Sequence, residues 1–118
     1  MTPIATATNT AGTPINARQS FAMSYAESIA ITPDGKTAYV ADAATNQVTP
    51  ISTATNTALT AIQVGTIPVA IAITPDGKTA YVGLGVHFHN LVPIDTATNT
   101  VLPAVTVRSF PRAIAITP

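Results

Sequence analysis

The chain has 118 residues and no net formal charge, and only 8% of its residues are charged, against roughly 25% in an average soluble domain. With no basic patch to hold phosphates, nucleic acid is excluded as an expected partner. Cysteine is absent, which removes disulfides and thiolate metal sites, and no apolar run reaches the roughly 18 residues a membrane span needs.

The chain opens on TPIATATNT (Thr2 to Thr10), which returns as TPISTATNT (Thr49 to Thr57) and as VPIDTATNT (Val92 to Thr100). Between these copies lies a twelve-residue phrase, IAITPDGKTAYV, at Ile29 to Val40 and again at Ile71 to Val82; a third copy starts at Ile114. The phrase recurs at spacings of 42 and 43 residues. Several short strands per unit at a period of 40 to 45 residues are the signature of β-propeller blades.

One unit reads as four strands: A near Ala70 to Thr74, B at Thr79 to Leu84, C at Asn90 to Asp95 and D at Thr100 to Val107. The first hairpin turn is Thr-Pro-Asp-Gly-Lys, at residues 32–36 and 74–78. There proline presets φ, aspartate caps the turn, and glycine takes the left-handed position. In the second, Thr-Ala-Thr-Asn-Thr, Asn9, Asn56 and Asn99 take the left-handed role and Asp95 or Ser52 bonds the loop backbone. Strand A, as Ile71-Ala72-Ile73, is apolar on both faces, as a strand packed between neighbouring sheets must be. Tyr39 and Tyr81 occupy one repeat position and are expected to pack between blades with the hydroxyl reaching a polar rim.

The expected architecture is therefore all-β: a propeller segment of about two and a half four-stranded antiparallel blades, forming one unit over residues 1–118. Residues 1–27 supply strands C and D of a partial blade, 28–68 and 69–111 are whole blades, and 112–118 start the next. Five extra residues fall around Ala17 to Ala22, and one more in the B–C loop near Gly83 to His87. Open blade faces at the ends would be adhesive. Head-to-tail closure into a homo-oligomeric ring is one way to cover them, with A and C pairing as parallel neighbours because the shared blade would lack a strand B.

The D–A and B–C loops of a propeller emerge together, on the usual ligand face. That places Glu27, Arg108 and Arg112 from D–A loops beside Asp42, His87 and His89 from B–C loops. His87 and His89, two apart on an extended segment, would point both imidazoles one way and so clamp zinc or another divalent metal, with Asp42 as the nearby carboxylate. The plainer reading is a polar loop with Phe88 tucked between blades. Glu27 with Arg108 or Arg112 has the make-up of an acid–cation pair, and equally of ordinary surface charges. No catalytic residues are identified: Ser-His-Asp order, a phosphate-cradling loop and paired carboxylates are all missing. No cofactor is expected apart from that metal.

The Thr-Pro-Asp-Gly-Lys turn, the Ala-Tyr-Val after it and the Pro-Ile-Asp-Thr-Ala-Thr-Asn-Thr segment resemble YVTN-type β-propeller repeats over essentially the whole chain. The name-giving tetrapeptide is only partly kept, as Tyr39-Val40-Ala41-Asp42 and Tyr81-Val82-Gly83-Leu84. The resemblance implies a surface-layer or secreted setting, extracellular or at the cell surface, although no signal peptide follows Met1. It implies a non-enzymatic scaffold or binding module with a protein or glycan partner, as a fragment or assembling subunit of an extracytoplasmic protein. The alternative it implies is a fragment of a lactonase-like or quinoprotein-like propeller enzyme, since fold alone does not choose among them.

Overall fold

The computed structural model describes residues 1–16, 25–85, 87 and 89–118. The described residues form no helix, only short strands joined by turns, so none of them builds a helix long and apolar enough to cross a membrane. The five extra residues expected around Ala17 to Ala22 lie outside the described residues.

The strands make three antiparallel sheets. A small one pairs β1 (Ile4–Ala5) with β2 (Thr10–Ala11). The first full sheet runs β3 (Ala26–Ile31), β4 (Thr37–Asp42), β5 (Gln47–Ser52), then β6 (Thr57–Ala58) and β7 (Ile62–Gln63), which both pair with β5. The second full sheet repeats this with β8 (Pro68–Ile73), β9 (Thr79–Leu84), β10 (Asn90–Asp95), β11 (Thr100–Val101) and β12 (Val105–Thr106). Each is a four-position blade whose outermost position is filled by two short pieces. From Arg112 the third copy of the phrase runs on without a paired strand.

The broken outer strand departs from the continuous strand D expected over Thr100 to Val107, and prolines explain it. Leu59 and Leu102 donate their N–H to the carbonyls of Pro50 and Pro93, both at 2.8 Å. In an antiparallel ladder the reciprocal bond would come from the proline nitrogen, which has no hydrogen. Each proline pair is therefore limited to one bond, and the ladder stops there and resumes three or four residues later.

Both turns form as their chemistry dictates. Gly35 and Gly77 sit at φ 72°, and Asn9, Asn56 and Asn99 at 51°, 52° and 54°. The Asp95 carboxylate accepts from the N–H groups of Ala97 and Thr98 at 2.9 and 3.2 Å. Asp34 accepts from the Thr32 hydroxyl at 2.6 Å and the Lys36 N–H at 3.0 Å, and Asp76 repeats this with Thr74 and Lys78. These bonds, the threonine hydroxyl first and the backbone N–H second, hold both carboxyls below their ordinary value of 3.8. Because the folded pKa is depressed, the contribution is present above that value and lost as pH falls through the folded pKa. A Thr32→Val, Thr74→Val variant should therefore lose less thermal stability on acidification than the parent, measured by circular dichroism from neutral to strongly acid pH. An equal loss in both would refute the assignment.

The two full sheets stand face to face, and their shared core includes Tyr39, Ala41, Val48, Val82, Val92 and Ile94. Strand β3 lies against β8, where the Ile71 N–H reaches the Ser28 hydroxyl at 3.3 Å. Tyr39 is 1% exposed and donates its hydroxyl at 2.7 Å to the Asn99 side-chain carbonyl, in the second hairpin turn of the neighbouring sheet. Burial, and then the nearby Asp95 charge, push the Tyr39 hydroxyl above its ordinary pKa. The apolar character of strand A on both faces now has its cause. Ile71, facing the first sheet, is 8% exposed, whereas its twin Ile29 has no whole sheet before it and is 50% exposed.

Candidate functional site

The sheets have two unlike ends. One gathers the A–B and C–D turns, tied together where Thr53 donates its hydroxyl to the Gly35 carbonyl at 2.6 Å and Thr96 donates to Gly77. A cleft between the sheets opens there, lined by Pro33, Asp34, Tyr39, Asp76 and Thr96. The other end gathers the B–C and D–A loops, the end expected to carry a ligand.

At the loop end the backbone is held by a repeated crossover. The Ala43 N–H bonds the Tyr25 carbonyl at 3.0 Å, and one repeat later the Gly85 N–H bonds the Ile67 carbonyl at 2.6 Å. Asn46 adds a second tie, since its side-chain carbonyl accepts the Ile67 N–H at 2.8 Å. Its backbone carbonyl accepts from Val64 at 3.3 Å. Ile67 is held there at φ 54°, a left-handed conformation that costs a β-branched residue about 1–3 kcal/mol. Asn46→Ala is expected to lower unfolding stability by about 1–2 kcal/mol by leaving the Ile67 N–H unpaired; an unchanged denaturation midpoint would contradict this.

Each candidate residue has a definite place. Asp42 is 7% exposed, and its carboxylate caps the N–H groups of Ala44 and Thr45 at 2.9 and 3.2 Å. These distances repeat those of Asp95, so Asp42 is a turn residue like the other three aspartates. Glu27 stands in β3 where the register slips between Ala26 and Ser28, and it is exposed. Such bulges re-aim a side chain. Arg112 occupies the equivalent position two repeats on, and among the described residues no ion pair joins Glu27 to Arg108 or Arg112. His87 is exposed in a turn at φ 77°, not on extended backbone, so the alternation that would align its ring with that of His89 does not operate. His89 is also exposed and accepts the Val107 N–H on its carbonyl at 2.7 Å. Among the described residues no three His, Asp or Glu side chains converge.

The residues that stand out at this end are others. Tyr25, Ile67 and Phe110 share one repeat position, the last before strand A, so each unit contributes one large apolar side chain to the loop end. Tyr25 is exposed and the other two are half-buried. The Arg112 guanidinium lies over the Phe110 ring, 5.0 Å from its centroid, which makes a cation–aromatic stack. Beside it runs a shallow cleft lined by Leu91, Val107, Phe110 and Pro111. The signal was the alignment itself, which puts Tyr25, Ile67 and Phe110 in register.

Four-position antiparallel sheets standing upright and packed face to face define a β-propeller segment. Solved structures agree. Hydrazine synthase from Kuenenia stuttgartiensis matches 95% of this chain at 28% identity with a TM-score of 0.87. The RRP9 WD40 repeats match 73% at 16% identity and 0.64, and a candidate 6-phosphogluconolactonase from Bacteroides uniformis matches 76% at 21% identity and 0.67. The chain spans 31%, 27% and 29% of those three chains. No model of a known protein family and no curated protein matches the sequence.

Proposed function

We propose that this chain is a YVTN-type propeller scaffold of an extracellular or cell-surface protein that binds a protein or glycan at its loop end without catalysing a reaction. The observation that carries this is the row Tyr25, Ile67 and Phe110 with the Arg112 stack, one apolar group per repeat at a single end. Aromatic faces flanked by a cation suit sugar rings and peptide side chains alike. Of the carboxylates at this end, Asp42 is committed to its turn. Screening the chain on a glycan array and a displayed peptide library is the test. A Tyr25→Ser, Phe110→Ser variant should lose at least tenfold in affinity for whatever the parent retains, with its unfolding unchanged. Equal retention by parent and variant, or none by either, would refute the reading.

The likeness to hydrazine synthase and to the candidate 6-phosphogluconolactonase supports a second reading, a part of a propeller enzyme, of the lactonase kind in the case tested. Lactone hydrolysis by the chain that disappears in Glu27→Gln would support it over the first.

A further inference from the structure

The loop that carries the chain from β7 of the first full sheet to β8 of the second is held in a conformation its own residues oppose. A β-branched residue disfavours the left-handed region, and a following proline pushes it towards extended backbone. Ile67, followed by Pro68, meets both conditions and yet stands at φ 54°. Among the described residues the other left-handed positions are asparagines, glycines and His87.

Contacts from residues distant in sequence hold Ile67 there. The side-chain carbonyl of Asn46, on the first sheet, accepts its N–H at 2.8 Å. The N–H of Gly85, on the second, donates to its carbonyl at 2.6 Å. A Cβ on Gly85 would lie 3.0 Å from an Ile67 methyl, the Ile67 carbonyl oxygen and a Val69 methyl, so the approach depends on glycine. One repeat earlier Ala43 stands in the glycine's place, and the same crossover is 3.0 Å long.

Otherwise the loop is loosely kept. Val64 and Pro68 are buried and anchor its ends, whereas Gly65 and Thr66 are exposed. Gly65 stands at φ 108° and, as a glycine, takes either sign of φ, so it absorbs a rotation at Ile67. The strain at Ile67 and the hydrogen bonds opposing it are of one order. An equilibrium so balanced populates both of its states.

We infer that residues 65–67 are a two-state latch between the sheets. Closed, as in the structure, Asn46 and Gly85 pin Ile67 and its side chain lies against the Gly85 backbone. Open, Ile67 returns to extended backbone, its side chain leaves Gly85, and the Asn46 side-chain carbonyl is free to accept from a ligand. That last consequence rests on the loop end being a binding site; the two states themselves do not.

Native-state hydrogen exchange of the full chain, followed amide by amide by NMR with intrinsic rates divided out, tests this. In the parent the Ile67 and Gly85 amides should share one protection factor, because a single opening breaks both bonds. That factor should not change in low urea, since the opening exposes little surface, while central-strand amides such as Val82 respond. Asn46→Ala should speed exchange at the Gly85 amide about fivefold although the bond of that amide is untouched. Ile67→Asn, at ease in the left-handed region, should slow it about fivefold. If Asn46→Ala fails to fold, the parent and Ile67→Asn decide. Unequal protection at Ile67 and Gly85, urea-sensitive exchange there, no change at Gly85 in Asn46→Ala, or exchange in Ile67→Asn as fast as the parent's would overturn the inference. None of these readings uses a ligand, so the latch stands or falls separately from binding at the loop end.

Discussion

Replacing Tyr39 by alanine should lower the stability of the chain by about 3–5 kcal/mol, the range for removing a buried aromatic side chain. The same change at Tyr81 should cost about 1 kcal/mol or less. The two tyrosines share the twelve-residue phrase and the same strand position, so local propensity does not distinguish them. What differs is the neighbour. Tyr39 is covered by the second full sheet and donates its hydroxyl to Asn99, whereas Tyr81 is half-buried on the face that no whole sheet covers. Urea denaturation of both variants separates these contributions. Equal losses would mean that the tyrosine supports its own sheet and not the contact between sheets.

The second large effect concerns three isoleucines in the other repeated segment. Ile94 is 0% exposed and belongs to the shared core, so Ile94→Ala should cost about 2–5 kcal/mol. Ile51 is also buried, but among the described residues its cluster holds only Ile15, Ala38 and Val40 beside it. A site with so few fixed neighbours collapses more readily, which puts Ile51→Ala at the low end of that range. Ile4 is 56% exposed, and Ile4→Ala should change stability by about 0.5 kcal/mol at most. The order Ile94, Ile51, Ile4 follows how much of a neighbouring sheet each faces. Any other order in thermal or urea unfolding would count against face-to-face packing.

Much of this architecture is written in the chain. The repeat period and two turn chemistries locate the hairpins, and strands B and C have the boundaries read from residue pattern alone. The break in strand D was also legible, because Pro50 and Pro93 sit where a central strand owes its outer neighbour a hydrogen bond. Asp42 was legible too: Asp42-Ala43-Ala44-Thr45-Asn46 parallels Asp95-Thr96-Ala97-Thr98-Asn99, so its carboxylate belongs to a turn. The left-handed backbones of His87 and Ile67 were not. Nothing in the local sequence singles out His87 for that conformation, and a β-branched residue such as Ile67 disfavours it outright; there it is tertiary bonding through Asn46 and Gly85 that holds it.

A double-mutant cycle between Tyr39→Phe and Asn99→Ala, with Tyr39→Phe and Asn56→Ala as the control, asks whether adjacent modules touch through their flat sides. Asn99 lies in the next sheet's turn and Asn56 in the identical turn of Tyr39's own sheet. Coupling of about 0.5–1.5 kcal/mol with Asn99 and none with Asn56 is the expected result. Coupling with Asn56, or with neither, would contradict it.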